Sequence, residues 1–592
     1  MTASSLRIHI AAIALWLICS GFTTTLLQPG IRHEAPGYPG SAHTESSDSS
    51  VVTEHFRILS DRRVYITGET VSVRVFPQGS PVLHTLNWSR VYYLEIVDPS
   101  GTDIARSKLR LDRNGGAGVI NIPGDVTSGT YFLRGYTRWM RNCDPATFNY
   151  LSIEILNPHR DALLPVDTAG HTLETRSGLT GTNTGELTLH TPPAPRAPRT
   201  KSTFTLKNTG VHEVSLCVTI GKRGALHHQH YSTRTCIRSA GTHTEYIPET
   251  RGVTLTGRVT DESTGEPVPF AVVNISVLDR ERDFFCNYTD STGRFYFSFP
   301  GYTGEKELFV SAIHPDRRSL AVQINRDFSQ STHSMPSLPL LLGDSLEPLY
   351  TELSVNAQVY HQYQSQAGVP GTESEESTDR RFFYGEPLSV LHFEDFIKLP
   401  TLEEYFTELI PQVYVRKREG EKTLVLPGNQ HGMQFYRPLV MIDGIAIFDT
   451  EAVLAVSPRT IERIEIIDRP YVRGNVTYGG IINIISRNDD LGYVDLPSSG
   501  LLLDYRMVRP PLSPQQFVPE EDPNIPDVRN TLYWNPDISL APGEECALPF
   551  YTNDLPGSYE ILVRGFDTRD RYVESSAFFE VEESGSGDSD EQ

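Results

Sequence analysis

Apolar and polar residues alternate with a period of two along most of the chain, which predicts short strands with one buried face. The first clear run is RRVYITGETVSVRVF, where Val71, Val73 and Val75 share a face beyond a Thr67-Gly68 turn. VYYLEIVDPSG, GVINIPGDV and SGTYFLRGYT repeat the same strand-and-turn cadence, predicting an antiparallel sandwich over 55–158. TFTLKN and EVSLCVTIG mark a second β segment over 184–250. VTLTGRVTDESTGEPVPFAVVNISV, NYTDSTGRFYFSF and ELFVSAI form a third module over 251–327, with turns at Asp261–Gly265 and Asp290–Gly293. The period then lengthens to 3.6. In LPTLEEYFTELI, Leu402, Tyr405, Phe406, Leu409 and Ile410 fall on one helical face, and Thr401 with Glu404 reads as a capping box. Strands TLVLPG, RPLVMIDGIAIF, ERIEIID and GGIINIISR complete an α+β block over 381–488. DVRNTLYWNPDISL, ALPFYTND and GSYEILVRGFD predict a last small sandwich over 527–582.

Between these modules lie Ser-, Thr-, Gly- and Pro-rich stretches read as linkers: 22–54, 159–183, 328–380 and 489–526. The third of them carries one short helix around Leu349 to Tyr363, and an acidic tail closes the chain over 583–592. Composition agrees with the strand reading: 45 Gly and 41 Pro in 592 residues, but only 6 Met, favour turns and short strands over long helices. With 38% hydrophobic and 21% charged residues, the chain is neither a disordered polymer nor a multi-span membrane protein. A net charge of −22 with no basic stripe removes nucleic acid and anionic membrane surfaces from the expected partners.

The first residues carry the first functional signal. Arg7 precedes the apolar run Ile10 to Ile18, and the small residues of CSGF follow it, which reads as a secretory signal over 1–21. A run of that length is too short to span a bilayer, which takes about 20 apolar residues. Cys19 stands where a lipoprotein signal would place its acylated cysteine. Trp16, Leu17 and Ile18 do not fit, since such a signal wants Leu at the first of these positions and a small residue at the last. The mature chain is expected to be exported to the cell envelope, with no membrane span of its own.

Candidate chemistry is sparse. Past Cys19, the cysteines are Cys143, Cys217, Cys236, Cys286 and Cys546, an odd number without C-x-x-C spacing. Cys217 and Cys236 could close one loop across a hairpin; buried free thiols in sandwich cores fit equally well. His227, His228 and His230 form a small cluster in which His228 and His230 would point the same way on a strand. Two such ligands suit a metal, but spacing shows no third, and a polar hairpin rim explains the cluster as well. G-x-S-x-G, H-E-x-x-H and Walker patterns do not occur in the sequence. Asp443-Gly444, the most conspicuous acidic spot, reads as a turn or bulge inside a strand pair rather than a catalytic site. No catalytic, cofactor-binding or metal residue is assigned.

Three segments resemble known domains. SDRRVYITGETVSVRV resembles the entry of the second macroglobulin-type domain of the α2-macroglobulin family, and SGTYFLRGYTRWMRN is similar to the version found in exported Bacteroidetes proteins. The macroglobulin thioester Cys-Gly-Glu-Gln is missing; GEEC at Gly543–Cys546 has similar letters in the wrong order and reads as a turn before a strand. Residues 251–327 resemble the carboxypeptidase regulatory-like domain, a transthyretin-like sandwich that is itself non-catalytic. PLVMIDGIAI, IERIEIIDRP and YGGIINIISR resemble the plug domain of TonB-dependent outer-membrane receptors, although Arg469 stands before Pro470 where the family has Gly. A receptor barrel of 22 strands at about 10 residues each needs at least about 220 residues. Only about 100 follow the block, so no barrel fits after it.

The expected fold class is therefore mainly β: a multidomain string of Ig- and transthyretin-like sandwiches with one α+β plug-like domain. The resemblances imply a non-catalytic exported protein at the outer membrane, docking through the plug-like domain on a β-barrel or secretion pore. The alternative for this block is an inherited fold that now serves as another spacer, and crosslinking from positions around Arg473 and Asn475, in the loop before the final strand, would tell docking from spacer. An enzyme, peptidase or glycan-active, with a site built from unrecognised residues is the competing reading, and a structural or adhesive surface protein is a further one.

Overall fold

In the computed structural model, the described residues are 54–79, 89–166, 186–191, 195–227, 244–340, 346–364, 381–418, 420–427, 432, 435–497, 499–510 and 524–583. The expected signal segment, His228, His230, Cys236 and nearly all of the acidic tail lie outside them. The chain is mainly β and multidomain, built of small sandwiches around one α+β block.

The N-terminal sandwich follows the alternation read from its sequence. Strands His55–Ser60, Thr70–Gln78 and Gly116–Asn121 form one sheet. Val64–Ile66, Asn149–Leu156, Gly129–Tyr136, Val91–Val97 and Asp103–Arg110, in that spatial order, form the other. Val71, Val73 and Val75 are fully buried between the sheets, as their shared face requires.

The next segment does not fold by itself. Lys201–Asn208 pairs antiparallel with Glu545–Tyr551, and Val214–Lys222 lies between Thr531–Leu540 and Gly557–Asp567. The expected separate modules 184–250 and 527–582 are thus halves of one split sandwich. Its core joins Phe204, Leu216, Val218 and Ile220 to Tyr533, Phe550, Ile561 and Val563. Three strands from the first half cannot close two sheets alone, and four from the second complete them.

Everything between the halves is inserted into that sandwich. The inner sandwich has one sheet of Arg294–Phe299, Val253–Asp261 and Leu320–Ile324. The other is Arg381–Phe382, Glu281–Tyr288, Val272–Val277, Glu305–Ile313 and Leu501–Arg506. Its two edge strands come from outside 251–327 and flank the α+β block, so that block is a second insertion nested in the first. Leu501–Arg506 falls in the expected linker 489–526, where Leu503 sits opposite Leu308. The expected linker 328–380 is also structured over its described parts. Phe328 and Met335 are buried against the N-terminal sandwich, with the Ser329 N–H donating to Tyr136 Oη at 2.7 Å.

The helix expected around Leu349 to Tyr363 is Glu347–Gln364. Its Tyr350, Leu353 and Ala357 pack against Val64 and Ile66 of the N-terminal sandwich and Ala225 of the split one. The same two sandwiches share a second apolar seam of Leu59, Phe76, Cys217, Trp534 and Phe566. Among the described residues no helix is long and apolar enough to cross a membrane.

Candidate functional site

The α+β block is a five-stranded sheet, ordered Ser389–His392, Ile461–Ile467, Ile481–Ser486, Leu439–Ile442, Ile445–Ala446. Period-two alternation gives it two buried faces. Val440, Ile442, Ile464, Ile482 and Ile484 pack under the helices Leu402–Glu408 and Thr450–Ala455, with Leu402, Tyr405, Phe406 and Val453 filling the layer. Leu439, Met441 and Ile481 face the other way, onto Phe284 and Cys286 of the inner sandwich. Thr401 Oγ1 accepts from the Glu404 N–H at 3.3 Å, so the N-terminal cap read from the sequence starts the first helix.

Polar clasps border this second face. Arg473 reaches both carboxylate oxygens of Asp283, at 2.8 and 3.0 Å, and its Nε donates to the Phe284 carbonyl at 2.8 Å. Arg282 is held by Asp489, at 2.6 and 2.5 Å, and by the Asp443 carbonyl. The Asn475 amide meets Asn287 at 3.1 Å. The Arg473–Asn475 loop, the position read as telling docking from spacer, is thus spent on the chain's own inner sandwich. Sequence offered no sign of this, because Asp283 and Asn287 lie almost 200 residues earlier. Tyr384 donates to Glu465 at 2.6 Å and accepts from Asn483 at 2.7 Å. Burial, reinforced by the Glu465 charge, pushes that phenol far above its ordinary range.

Of the turn and the bulge that their sequence allowed, Asp443 and Gly444 form the turn, with φ of 48° and 82°, values that suit the two central positions of a tight hairpin. The fully buried Asp443 carboxylate accepts from Ser486 N and Oγ at 2.8 and 2.5 Å and from Leu491 N at 3.0 Å. It ties the turn to the end of the neighbouring strand. Beside the clasps lies a cleft of about 970 Å³, lined by Arg280, Tyr302, Lys306, Arg381 and Phe383 among others. Within it Lys306 pairs with Asp279, and Tyr302 donates to Asp283 at 2.5 Å.

The outer edge of the sheet is different. Among the described residues, Ser389–His392 pairs only with Ile461–Ile467. Around it Leu388 (52% exposed), Val390 (41%), Phe396 (41%) and Ile397 (78%) lie open to solvent.

His227 Nε2 meets Glu560 Oε1 at 2.9 Å, and this hydrogen bond raises the imidazole pKa despite partial burial. Among the described residues no three His, Cys, Asp or Glu side chains converge as a metal site. Cys217 is a free, buried thiol rather than the partner of Cys236, because it fills the apolar seam beside Trp534; Cys143 is the disulfide-bonded residue. Gly543 has φ of 80° in the turn before Glu545–Tyr551, as GEEC was read. Asp261 and Asp290 accept from the backbone of their own turns, Ser263 N at 3.0 Å and Thr292 N at 2.8 Å.

No protein family profile matches the sequence, and no curated protein does. Among solved structures, the chain is similar to Salmonella α2-macroglobulin reacted with methylamine. The identity is 9% and the TM-score 0.23, over 90% of this chain and 40% of that one. Native Escherichia coli α2-macroglobulin gives 8% identity and a TM-score of 0.23, over 91% and 40%. Dimeric latent PorU from Porphyromonas gingivalis gives 8% and 0.15, over 45% and 33%. The chain spans about 40% of the length of the macroglobulins it matches, and scores of this size transfer no activity.

Proposed function

We propose that this chain is a non-catalytic exported protein of the cell envelope that presents its plug-like α+β block to an outer-membrane transport or secretion pore. The open edge of the block carries this reading. An unpaired edge strand with apolar neighbours is the surface feature that folded proteins otherwise cover, because it invites pairing with another chain. Here it projects from a block clamped at both ends by Arg381–Phe382 and Leu501–Arg506 on the inner sandwich. The macroglobulin-like and regulatory-like sandwiches then serve as the mount. The sequence resemblance to receptor plugs supplies the kind of partner, and the signal-like first 21 residues supply the compartment.

Photo-crosslinkers placed at Leu388 and Ile397, on the open edge, and at Asn475, on the covered loop, test this in intact envelopes. Capture of one barrel protein from the first two positions, and none from Asn475, is expected. Capture from Asn475 alone, or from none of the three positions, overturns the docking assignment.

A further inference from the structure

A second cleft, of about 740 Å³, opens at the seam between the N-terminal and inner sandwiches. Its walls bring together Asp103, Arg106 and Asn121 from the first, and Glu305, Arg506 and Arg509 from the second. In a chain with 74 acidic and 52 basic residues, an arginine has acids in plenty to pair with. Arg106 takes two, Glu95 at 3.4 Å and Asp103 at 2.9 Å. Arg506 and Arg509 form no ion pair among the described residues. Arg506 donates to the Arg106 carbonyl at 3.1 Å, while the Arg509 guanidinium has no hydrogen-bonding partner among the described residues.

The backbone holds the two arginines in place. The Met507 N–H donates to Gly304 O at 2.8 Å, the Gly304 N–H to Val508 O at 2.9 Å, and the Arg509 N–H to Lys108 O at 2.9 Å. These bonds fix the backbone that carries both side chains to the inner sandwich edge and to the seam. Arg509 is half-buried, and its pKa is lowered, chiefly by burial and further by the nearby Arg506 charge. Glu305 lies opposite Arg506 in the strand register and offsets one of the two charges. With Asp103 spent on Arg106, one positive charge in the cleft is left without an anion among the described residues.

We propose that this cleft is an oxyanion site, taking a carboxylate or phosphate group between Arg506 and Arg509. The planar guanidinium fork suits both oxyanions, and each bond it makes is charge-assisted. The group would bridge two sandwiches, so its binding also fastens their seam. Two sources carry this chemistry, a uronate-bearing glycan and a free or esterified phosphate.

The test uses the whole chain with inorganic phosphate and with a galacturonate oligomer as probes, followed by calorimetric titration and by the thermal midpoint. Wild-type protein is expected to bind at least one probe, and that probe to raise the midpoint. Arg509→Ala is expected to weaken binding about tenfold or more, as loss of a charge-assisted pair implies. Its midpoint without probe should not fall below that of the wild type, because a repulsion has been removed. Arg509→Lys keeps the charge without the fork and should bind with intermediate strength. Preference for phosphate or for galacturonate names the source. Absence of binding to both probes, or equal binding by wild type and Arg509→Ala, overturns the assignment.

Discussion

Replacing Glu249 with Gln should make the protein's stability less dependent on pH, by an amount that can be worked from one buried carboxyl. Glu249 is 2% exposed where the inner sandwich meets the N-terminal one. Its Oε1 accepts from Thr254 N at 2.8 Å and from Tyr93 Oη at 3.1 Å, while Oε2 has no hydrogen-bonding partner. Burial raises its pKa from 4.5 to about 7, against the pull of Arg138 and Lys108. The folded value exceeds the unfolded one, so between pH 4.5 and 7 the folded protein keeps a proton that the unfolded chain has released. The contribution is most favourable below about 4.5, falls as pH rises through about 7, and is level above that. From pH 5 to pH 8 the loss amounts to about 2–3 kcal/mol. Gln keeps an acceptor for Thr254 and cannot ionise. Tyr93 and Tyr505, which the Glu249 charge also acts on, titrate well above this range, so the difference between the two proteins isolates Glu249. Urea unfolding of wild type and Glu249→Gln at pH 5, 6, 7 and 8 should show the variant gaining on the wild type by about that amount. A variant-minus-wild-type stability difference that stays constant across this range, or falls as pH rises, refutes the reasoning.

Asp443→Ala removes the acceptor for Ser486 N and Oγ and Leu491 N inside the α+β block and should cost about 2–4 kcal/mol, measured by urea unfolding. Arg473→Ala should speed amide exchange in the hairpin Tyr471–Arg473 and Val476–Tyr478, whose clasp to Asp283 it removes, and leave the N-terminal sandwich unchanged. Cys217 and Cys286 should resist a thiol reagent in the native protein, since burial pushes both thiols up to about 11; both should react promptly in denaturant.

The elements themselves were legible in the sequence. Val71, Val73 and Val75, the Asp443-Gly444 turn and the helix face of Leu402, Tyr405 and Phe406 announce themselves through periods of two and 3.6 and through turn chemistry. Strand partners were not, because alternation says which face of a strand is buried and nothing about which strand lies beside it. EVSLCVTIG reads as a strand of a separate β segment over 184–250; that its neighbours are Thr531–Leu540 and Gly557–Asp567 is long-range information. LLLDYR, hidden in a Pro-rich stretch, became an edge strand because Leu503 found Leu308 across the pair. The clasps followed the same rule. Arg473 looked like an exposed loop cation until the fold set Asp283 beside it. The cationic seam escaped notice for a related reason, since Arg506 and Arg509 matter only through Arg106 and Lys108 on another sandwich.

The central structural claim is that residues 187–222 and 531–581 build one sandwich, with everything between them inserted into it. A specific protease site placed between Pro510 and Asn524, with an affinity tag after residue 583, tests it directly. After complete cleavage, the two pieces should co-purify on the tag in native buffer and part only in denaturant. They are joined through seven register pairs between Lys201–Asn208 and Glu545–Tyr551 and by Val214–Lys222 between two later strands. Release of the C-terminal piece in native buffer as an independently folded domain would contradict the nested architecture and restore the simple string of separate sandwiches.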